Sequence, residues 1–169
     1  MIKKNIEELL NEQMNFEFSS AYIYRAMGAY CDSIDMAGFA NWFKIQAKEE
    51  ETHFEKFYNF ITERGGRAFF TKMDAPQKEW KSLIAAFESG YEHEQIVTEK
   101  INNIMTLAIE EKDHATMSFL NWFVDEQVEE ESMFDLKIKQ LKLIGGSGHG
   151  LFMMDKEMGS RVFIDTNQQ

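Results

Sequence analysis

Asn41-Trp42-Phe43-Lys44-Ile45-Gln46-Ala47-Lys48-Glu49-Glu50-Glu51-Thr52-His53-Phe54 decides how this chain is read, because it returns eighty residues later as Asn121-Trp122-Phe123-Val124-Asp125-Glu126-Gln127-Val128-Glu129-Glu130-Glu131-Ser132-Met133-Phe134. Asn-Trp-Phe, Glu-Glu-Glu and the closing Phe recur in one register, with Thr52 answered by Ser132. Two related helical hairpins explain that repeat better than chance does. Around the first copy, apolar residues step by three and four, the period of a helix with one buried face: Phe39, Phe43, Ala47, then Phe54, Phe57 and Ile61. Glu50 and His53 fall in the middle of that stripe, three residues apart and so on one face.

Three further stripes behave the same way. One reads Ile6, Leu10, Met14, Glu17, Ala21, Tyr24, Met27. Another reads Phe87, Tyr91, Glu94, Val97, Ile101, Ile104, Ala108, and the second copy of the repeat gives Met117, Leu120, Val124, Gln127, Glu130, Phe134, Ile138, Leu141. The spacing predicts helices over about 3–32, 35–64, 82–111 and 115–144. Each is on the order of 40 Å long at 1.5 Å per residue. Short links within each pair predict antiparallel hairpins, which brings the helix midpoints to one level. Glu17, Glu50, His53, Glu94, Gln127 and Glu130 are therefore expected to converge in the core.

The segment from Gly65 to Trp80, with Gly65-Gly66, Ala68-Phe69-Phe70 and the one proline, Pro76, is too long for a turn. A crossover along the bundle would leave the second and third helices parallel. Gly145-Gly146-Ser147-Gly148-His149-Gly150 ends the fourth helix, and a short fifth helix is expected over about 149–160, followed by a polar tail over 161–169. The expectation is one all-α domain over 1–169, with its four-helix bundle at about 3–144.

Composition bounds the function. A chain of 169 residues, 44% hydrophobic, supports a single sizeable core. Its one cysteine, Cys31, allows no internal disulfide and no Cys-rich metal cage, which suits a reducing, cytoplasmic setting. No apolar run approaches the roughly 18 residues of a membrane span, and the start of the chain has no apolar segment of signal-peptide type. A net charge of −11 disfavours nucleic acid and anionic membranes as partners and favours cations.

Four carboxylates meeting in apolar surroundings, with no Lys or Arg in the same stripes nearby, pose an electrostatic problem. Desolvating one ion costs several kcal/mol. Four could cancel much of the roughly 5–15 kcal/mol by which a domain is stable. Either the carboxylates hold protons or cations neutralise them. Two divalent ions would balance the four charges, with His53 and Gln127 neutral. A set rich in carboxylate, with one imidazole and no thiolate, suits iron or manganese better than structural zinc. A lone Glu17 or His53 would more simply be read as a solvated or hydrogen-bonded side chain; agreement in depth across four helices carries the metal reading.

With those residues in place, the sequence resembles the bacterial non-haem ferritins over nearly its whole length. The stretches that carry the likeness are Asn11-Glu12-Gln13-Met14-Asn15 leading to Glu17, Glu49-Glu50-Glu51-Thr52-His53, Glu92-His93-Glu94-Gln95, Glu126-Gln127-Val128-Glu129-Glu130-Glu131 and Gly148-His149-Gly150-Leu151. The resemblance implies a ferritin-like bundle with a di-iron ferroxidase centre. A first iron would be held by Glu17, Glu50 and His53, and a second by Glu50, Glu94 and Glu130, with Gln127 close by. It implies that Tyr24 sits beside the centre as hydrogen-bond or electron donor, although an ordinary core tyrosine would satisfy the spacing too. A third iron site is implied at Glu49, Glu126, Glu129 and Glu130, for which a solvated acidic face is the plainer alternative. Trp122 is expected to serve packing.

No haem is implied, since Glu51 stands where bacterioferritins carry their haem-ligating methionine. Gln127 and Glu130 replace a second Glu-x-x-His motif, which favours iron storage. The resemblance also implies Fe(II) and dioxygen as substrates, a ferric mineral as product, and a homo-oligomeric octahedral shell of about 24 subunits closed by rotational contacts. Leu151, Phe152, Met153 and Met154 would then be covered by a partner subunit. Two rival readings stay open on residues alone: a di-metal bundle oxidase acting on an organic substrate, and a non-catalytic helical scaffold.

Overall fold

A computed structural model describes residues 2–165. The helices are α1 (Lys4–Ser33), α2 (Ala37–Glu63), α3 (Leu83–Glu110), α4 (His114–Ile144) and α5 (Gly148–Met158). Each expected helix is present, with no end shifted by more than two residues. The second starts later than expected because Asp35 adopts a left-handed backbone (φ 59°). There the Met36 and Asp35 amides donate to the Cys31 and Asp32 carbonyls, closing α1. Lys112 (φ 55°) does the same for α3, with Asp113 and Lys112 donating to Ala108 and Ile109. The two turns are 77 residues apart, as are Glu17 and Glu94, so the repeat seen between α2 and α4 extends to whole hairpins.

Contacts fix the directions. Arg25 meets Glu51 and Lys44 meets Asp32 between α1 and α2; Lys142 meets Glu88 between α4 and α3. Lys3 and Asn5 reach Glu111 at the far end of α3, so α1 is antiparallel to α3 as well as to α2. Helices α2 and α3 are consequently parallel, as a long crossover requires.

The crossover lies along α1 and is held by one face of it. Glu7 accepts from the Arg67 amide (2.6 Å). Asn11 accepts from the Phe69 amide (2.9 Å) and donates to the Arg67 carbonyl (3.1 Å); Asn15 accepts from Thr71 (2.8 Å) and donates to the Phe69 carbonyl (2.9 Å). Three side chains spaced by four thus satisfy backbone groups that a strand partner would otherwise take. Trp80 ends the segment against Tyr30, near the other end of α1.

Most of the expected stripes are buried, with small rotations. Tyr91 and Phe54 are half-buried; on α4, Thr116 and Phe123 face inward where Met117 and Val124 were expected. Thr116 is claimed by the helix start, where Asp113 caps its amide (3.2 Å) and Arg64 reaches both residues. Phe123 fills space against Phe57, 4.4 Å between ring centres.

The fifth helix docks on the N-terminus of α2, whose own cap residue, Met36, contributes no side-chain bond. Asp155 supplies the cap from α5, accepting from the Gly38 and Phe39 amides (2.9 and 3.0 Å). Met154 and Met158 turn into the core while Phe152 and Met153 stay exposed, so only part of the apolar segment expected to await a partner is free to do so. A Cβ on Gly38 would lie 1.6 Å from the Asp155 carbonyl oxygen. Gly38→Ala is expected to push α5 off its seat and cost about 2 kcal/mol, the usual scale of overpacking. A lowered melting temperature with faster amide exchange confined to α5 and the start of α2 would show it. The expected polar tail is described only to Asp165; its last four positions, 166–169, lie outside the described residues.

Candidate metal centre

The core consists of two apolar clusters. One gathers Tyr24, Phe39, Trp42, Phe43, Phe87 and Phe134; the other gathers Ile6, Leu10, Met14, Phe57, Ile101 and Phe123. Between them, at mid-bundle, lies a polar layer: Glu17, Glu50, His53, Glu94, Gln127 and Glu130, each no more than 2% exposed. All six residues expected to converge do so. Glu17, Glu50 and His53 each offer a ligand atom within 4.8 Å of the others.

Every carboxylate is oriented, and among the described residues no lysine or arginine lies within the layer. Gln13 donates to Glu17 (2.8 Å) from one turn below, and the other Glu17 oxygen is buried without a hydrogen bond. His53 Nδ1 lies 3.3 Å from Glu50 Oε2, and its ring edge meets Trp122 and Phe123. Tyr24 donates its hydroxyl proton to Glu94 Oε1, and Gln127 Nε2 donates to Glu94 Oε2 (3.1 Å). Gln46 Nε2 donates to Glu130 Oε2 (2.7 Å). Trp122 also carries Lys56 over its ring, 4.5 Å from the centre.

Glu49, Glu126, Glu129 and Glu130 line an open groove of about 500 Å³ beside this layer. Glu49 and Glu126 are half-buried and Glu129 is exposed. Glu126 Oε1 is 4.0 Å from His53 Nε2, so the imidazole stands between groove and layer. Gln13, Gln46 and Arg161 join the site without having been expected there. The two glutamines carried a usable signal, lying four residues before Glu17 and Glu50. Arg161 carried none.

Burial raises the Glu17, Glu50 and Glu130 carboxyls well above the ordinary value of 4.5, and neighbouring carboxylates push the same way: Glu50 beside Glu17, and Glu94 beside Glu50 and Glu130. Burial lifts Glu94 to about 7 against the pull of the hydrogen bonds from Tyr24 and Gln127. Burial, then the Glu94 charge, raises the Tyr24 phenol. His93, stacked on Phe16 and 2.7 Å from Ser20 Oγ, is held down at about 4 by burial alone.

The sign of the pH effect follows. Between pH 4.5 and the raised values, the unfolded chain has lost these protons and the folded chain keeps them, so stability falls as pH rises. For Glu94 the window runs from 4.5 to about 7, worth about 3 kcal/mol at 1.36 kcal/mol per unit. The metal-free protein is expected to melt at progressively lower temperature from pH 5 to 7.5. Saturating Zn(II) should flatten that slope, because a bound cation replaces the protons. A melting temperature that rises with pH in the metal-free protein would contradict this.

A buried layer of carboxylates and one histidine, drawn from four long helices joined by a crossover, defines the ferritin-like class of bundles. The family model for the ferritin-like domain matches residues 7–144, and the chain belongs to the ferritin family. It is 47% identical to the bacterial non-heme ferritin of Staphylococcus aureus (strain USA300) over 163 residues, covering 96% of this chain and 98% of that one. The Staphylococcus saprophyticus protein of the same name is 47% identical over 166 residues, with 98% and 99% covered. Among solved structures, a humanized archaeal ferritin superposes with a TM-score of 0.96 at 44% identity, covering 97% and 99% of the two chains. An open-pore ferritin from Archaeoglobus fulgidus gives 0.94 at 44% identity, with 96% and 99% covered. Among the described residues, no helix is long and apolar enough to cross a membrane.

Proposed function

We propose that the protein stores iron as a ferroxidase: it binds Fe(II) in the buried layer, oxidises it with dioxygen or peroxide, and deposits ferric oxyhydroxide inside a hollow homo-oligomeric shell. The observation that carries this reading is the Glu17–Glu50–His53 cluster, buried with no lysine or arginine in its layer among the described residues, and facing Glu94 and Glu130 across that layer. Two Fe(II) ions supply four positive charges, so the four carboxylates can all be ionised without leaving net charge in the core. Glu50 is the residue between the two halves of the layer and would bridge the irons. Each Fe(II) gives up one electron, so a pair reduces dioxygen by two electrons to hydrogen peroxide with uptake of two protons.

The chain's own residues prepare for this. Gln13, Tyr24, Gln127 and Gln46 hold carboxylate oxygens in place, so ligand orientation costs little when iron arrives. Tyr24 is fixed by stacking on Phe134 and Phe43 and would tune Glu94 or donate an electron. The groove at Glu49, Glu126, Glu129 and Glu130 would take a third iron on its way to the mineral. Exposed Phe18, Tyr22, Phe69 and Phe70 on α1 and the crossover, and Phe152 and Met153 on α5, support burial against further copies, in a shell of about 24 closed by rotational contacts. The same reading places the protein in the cytoplasm, with no haem, nucleic acid or membrane among its partners.

Adding Fe(II) aerobically to the metal-free protein, while following ferric absorbance and native mass, tests the proposal. Rapid oxidation by an assembly of about 24 copies is the expected result. Oxidation at the buffer-only rate in a monomer or dimer would overturn it.

A further inference from the structure

The acidic groove contains its own cation. Among the described residues that line it, Arg161 is the basic one, and it comes from the segment after α5. Asn41 holds that segment by donating to the Met158 and Arg161 carbonyls (3.3 and 3.0 Å). The guanidinium lies over the Trp42 ring, 4.6 Å from its centre, and donates to the Trp42 carbonyl (3.3 Å). One nitrogen also donates to Gln46 Oε1 (2.9 Å), and the other pairs with Glu49 Oε2 (2.5 Å). These partners occupy positions 42, 46 and 49, one face of α2, and the Arg161 side chain is 17% exposed. The geometry is that of a fixed fork.

Gln46 relays the contact inward. Because its oxygen accepts from Arg161, its nitrogen must face Glu130, to which it donates at 2.7 Å. Arg161 thereby reaches a carboxylate of the buried layer through one amide, while holding the Glu49 carboxylate by one of its two oxygens and offsetting its charge.

We propose that Arg161 is a resident cation that sets the order of metal binding: the guanidinium holds Glu49 and orients Glu130, so divalent ions fill the buried pair first and enter the groove only by displacing it. Arg161 is a positioning residue in this scheme, and the inference rests on the metal reading proposed above. A cation in the groove must break a charge-assisted bond and leave the guanidinium to find water, which weakens its binding.

The test is a Zn(II) titration of the metal-free assembled protein by calorimetry, with native mass spectrometry for stoichiometry. The native chain should bind two equivalents per subunit, with a third weaker. In Arg161→Gln the third equivalent should tighten about tenfold, the scale on which outlying partners of ligands act. In a Glu49→Gln background, adding Arg161→Gln should leave the third equivalent unchanged, whereas a mere loosening of the tail would act in either background. Arg161→Lys keeps the charge but not the fork, so its third equivalent should fall between the two; it also serves if Arg161→Gln does not assemble. A third equivalent unchanged within about twofold in whichever variant assembles, or a gain that survives Glu49→Gln, overturns the inference. Failure of the native chain to bind the first two equivalents would instead sink the metal reading itself.

Discussion

Glu50→Gln should slow aerobic Fe(II) oxidation by about a hundredfold or more while raising the melting temperature of the metal-free protein. Opposite signs are expected because one carboxylate serves two incompatible ends. Glu50 is buried beside Glu17 and His53, and the charge of Glu94 lifts its proton affinity further. Replacing it with the isosteric amide keeps the packing of α2 and removes a group that the metal-free core accommodates only by holding a proton. Relief of a buried, uncompensated ionisable group is worth about 2 kcal/mol. The gain should grow from pH 5 to 7.5, where the native carboxyl is most costly. A neutral amide cannot bridge two irons, so the pair loses its common ligand and its charge balance together. Stopped-flow ferric absorbance and calorimetry on the same samples check both halves. Oxidation at the native rate, or a melting temperature lowered at pH 7.5, would contradict the role assigned to Glu50.

The largest loss of stability is expected from Phe134→Ala, about 3–5 kcal/mol for a fully buried phenylalanine. Its ring is buried against Trp42 (5.0 Å, edge to face), Tyr24 (5.8 Å, stacked) and Phe87 (6.0 Å). Helix α3 makes room for it with Gly90, where an added Cβ would lie 2.3 Å from the Phe134 ring. The cavity would open directly beneath Tyr24, whose hydroxyl orients Glu94, so binding of Zn(II) should weaken along with the fold. Coupling identifies the cause. Gly90→Ala should be destabilising in the native chain and tolerated once Phe134 is gone, a non-additivity that thermal melts of the four proteins would expose. Additive effects would mean that the ring and the glycine do not share the space.

Much of the site was legible beforehand because the helical period is a property of the backbone. Side chains three and four apart share a face wherever the helix goes, so Glu17, Glu50, His53, Glu94, Gln127 and Glu130 could be placed in apolar stripes before any packing was known. The repeat between 41–54 and 121–134 added that the helices come in hairpins, and hairpins of similar length align their midpoints. The same local rule erred where neighbours competed for a face. Thr116 displaced Met117 because its amide and hydroxyl both donate to the Asp113 cap at the helix start, and Phe123 displaced Val124 because the space beside Phe57 suits a ring.

By itself, then, the sequence determined the four stripes, the depth of the polar residues within them, the crossover, and the break before a fifth helix. Tertiary structure alone decided that Asn11 and Asn15 bind the crossover, that Asp155 caps α2 from a distant helix, and that Arg161 reaches Glu49 and Gln46. The physical reason is the range of the constraint. Periodicity is imposed over one or two turns of a single helix, whereas a hydrogen bond between residues 112 or 117 apart exists only after separate helices have docked and fixed which donors and acceptors face each other.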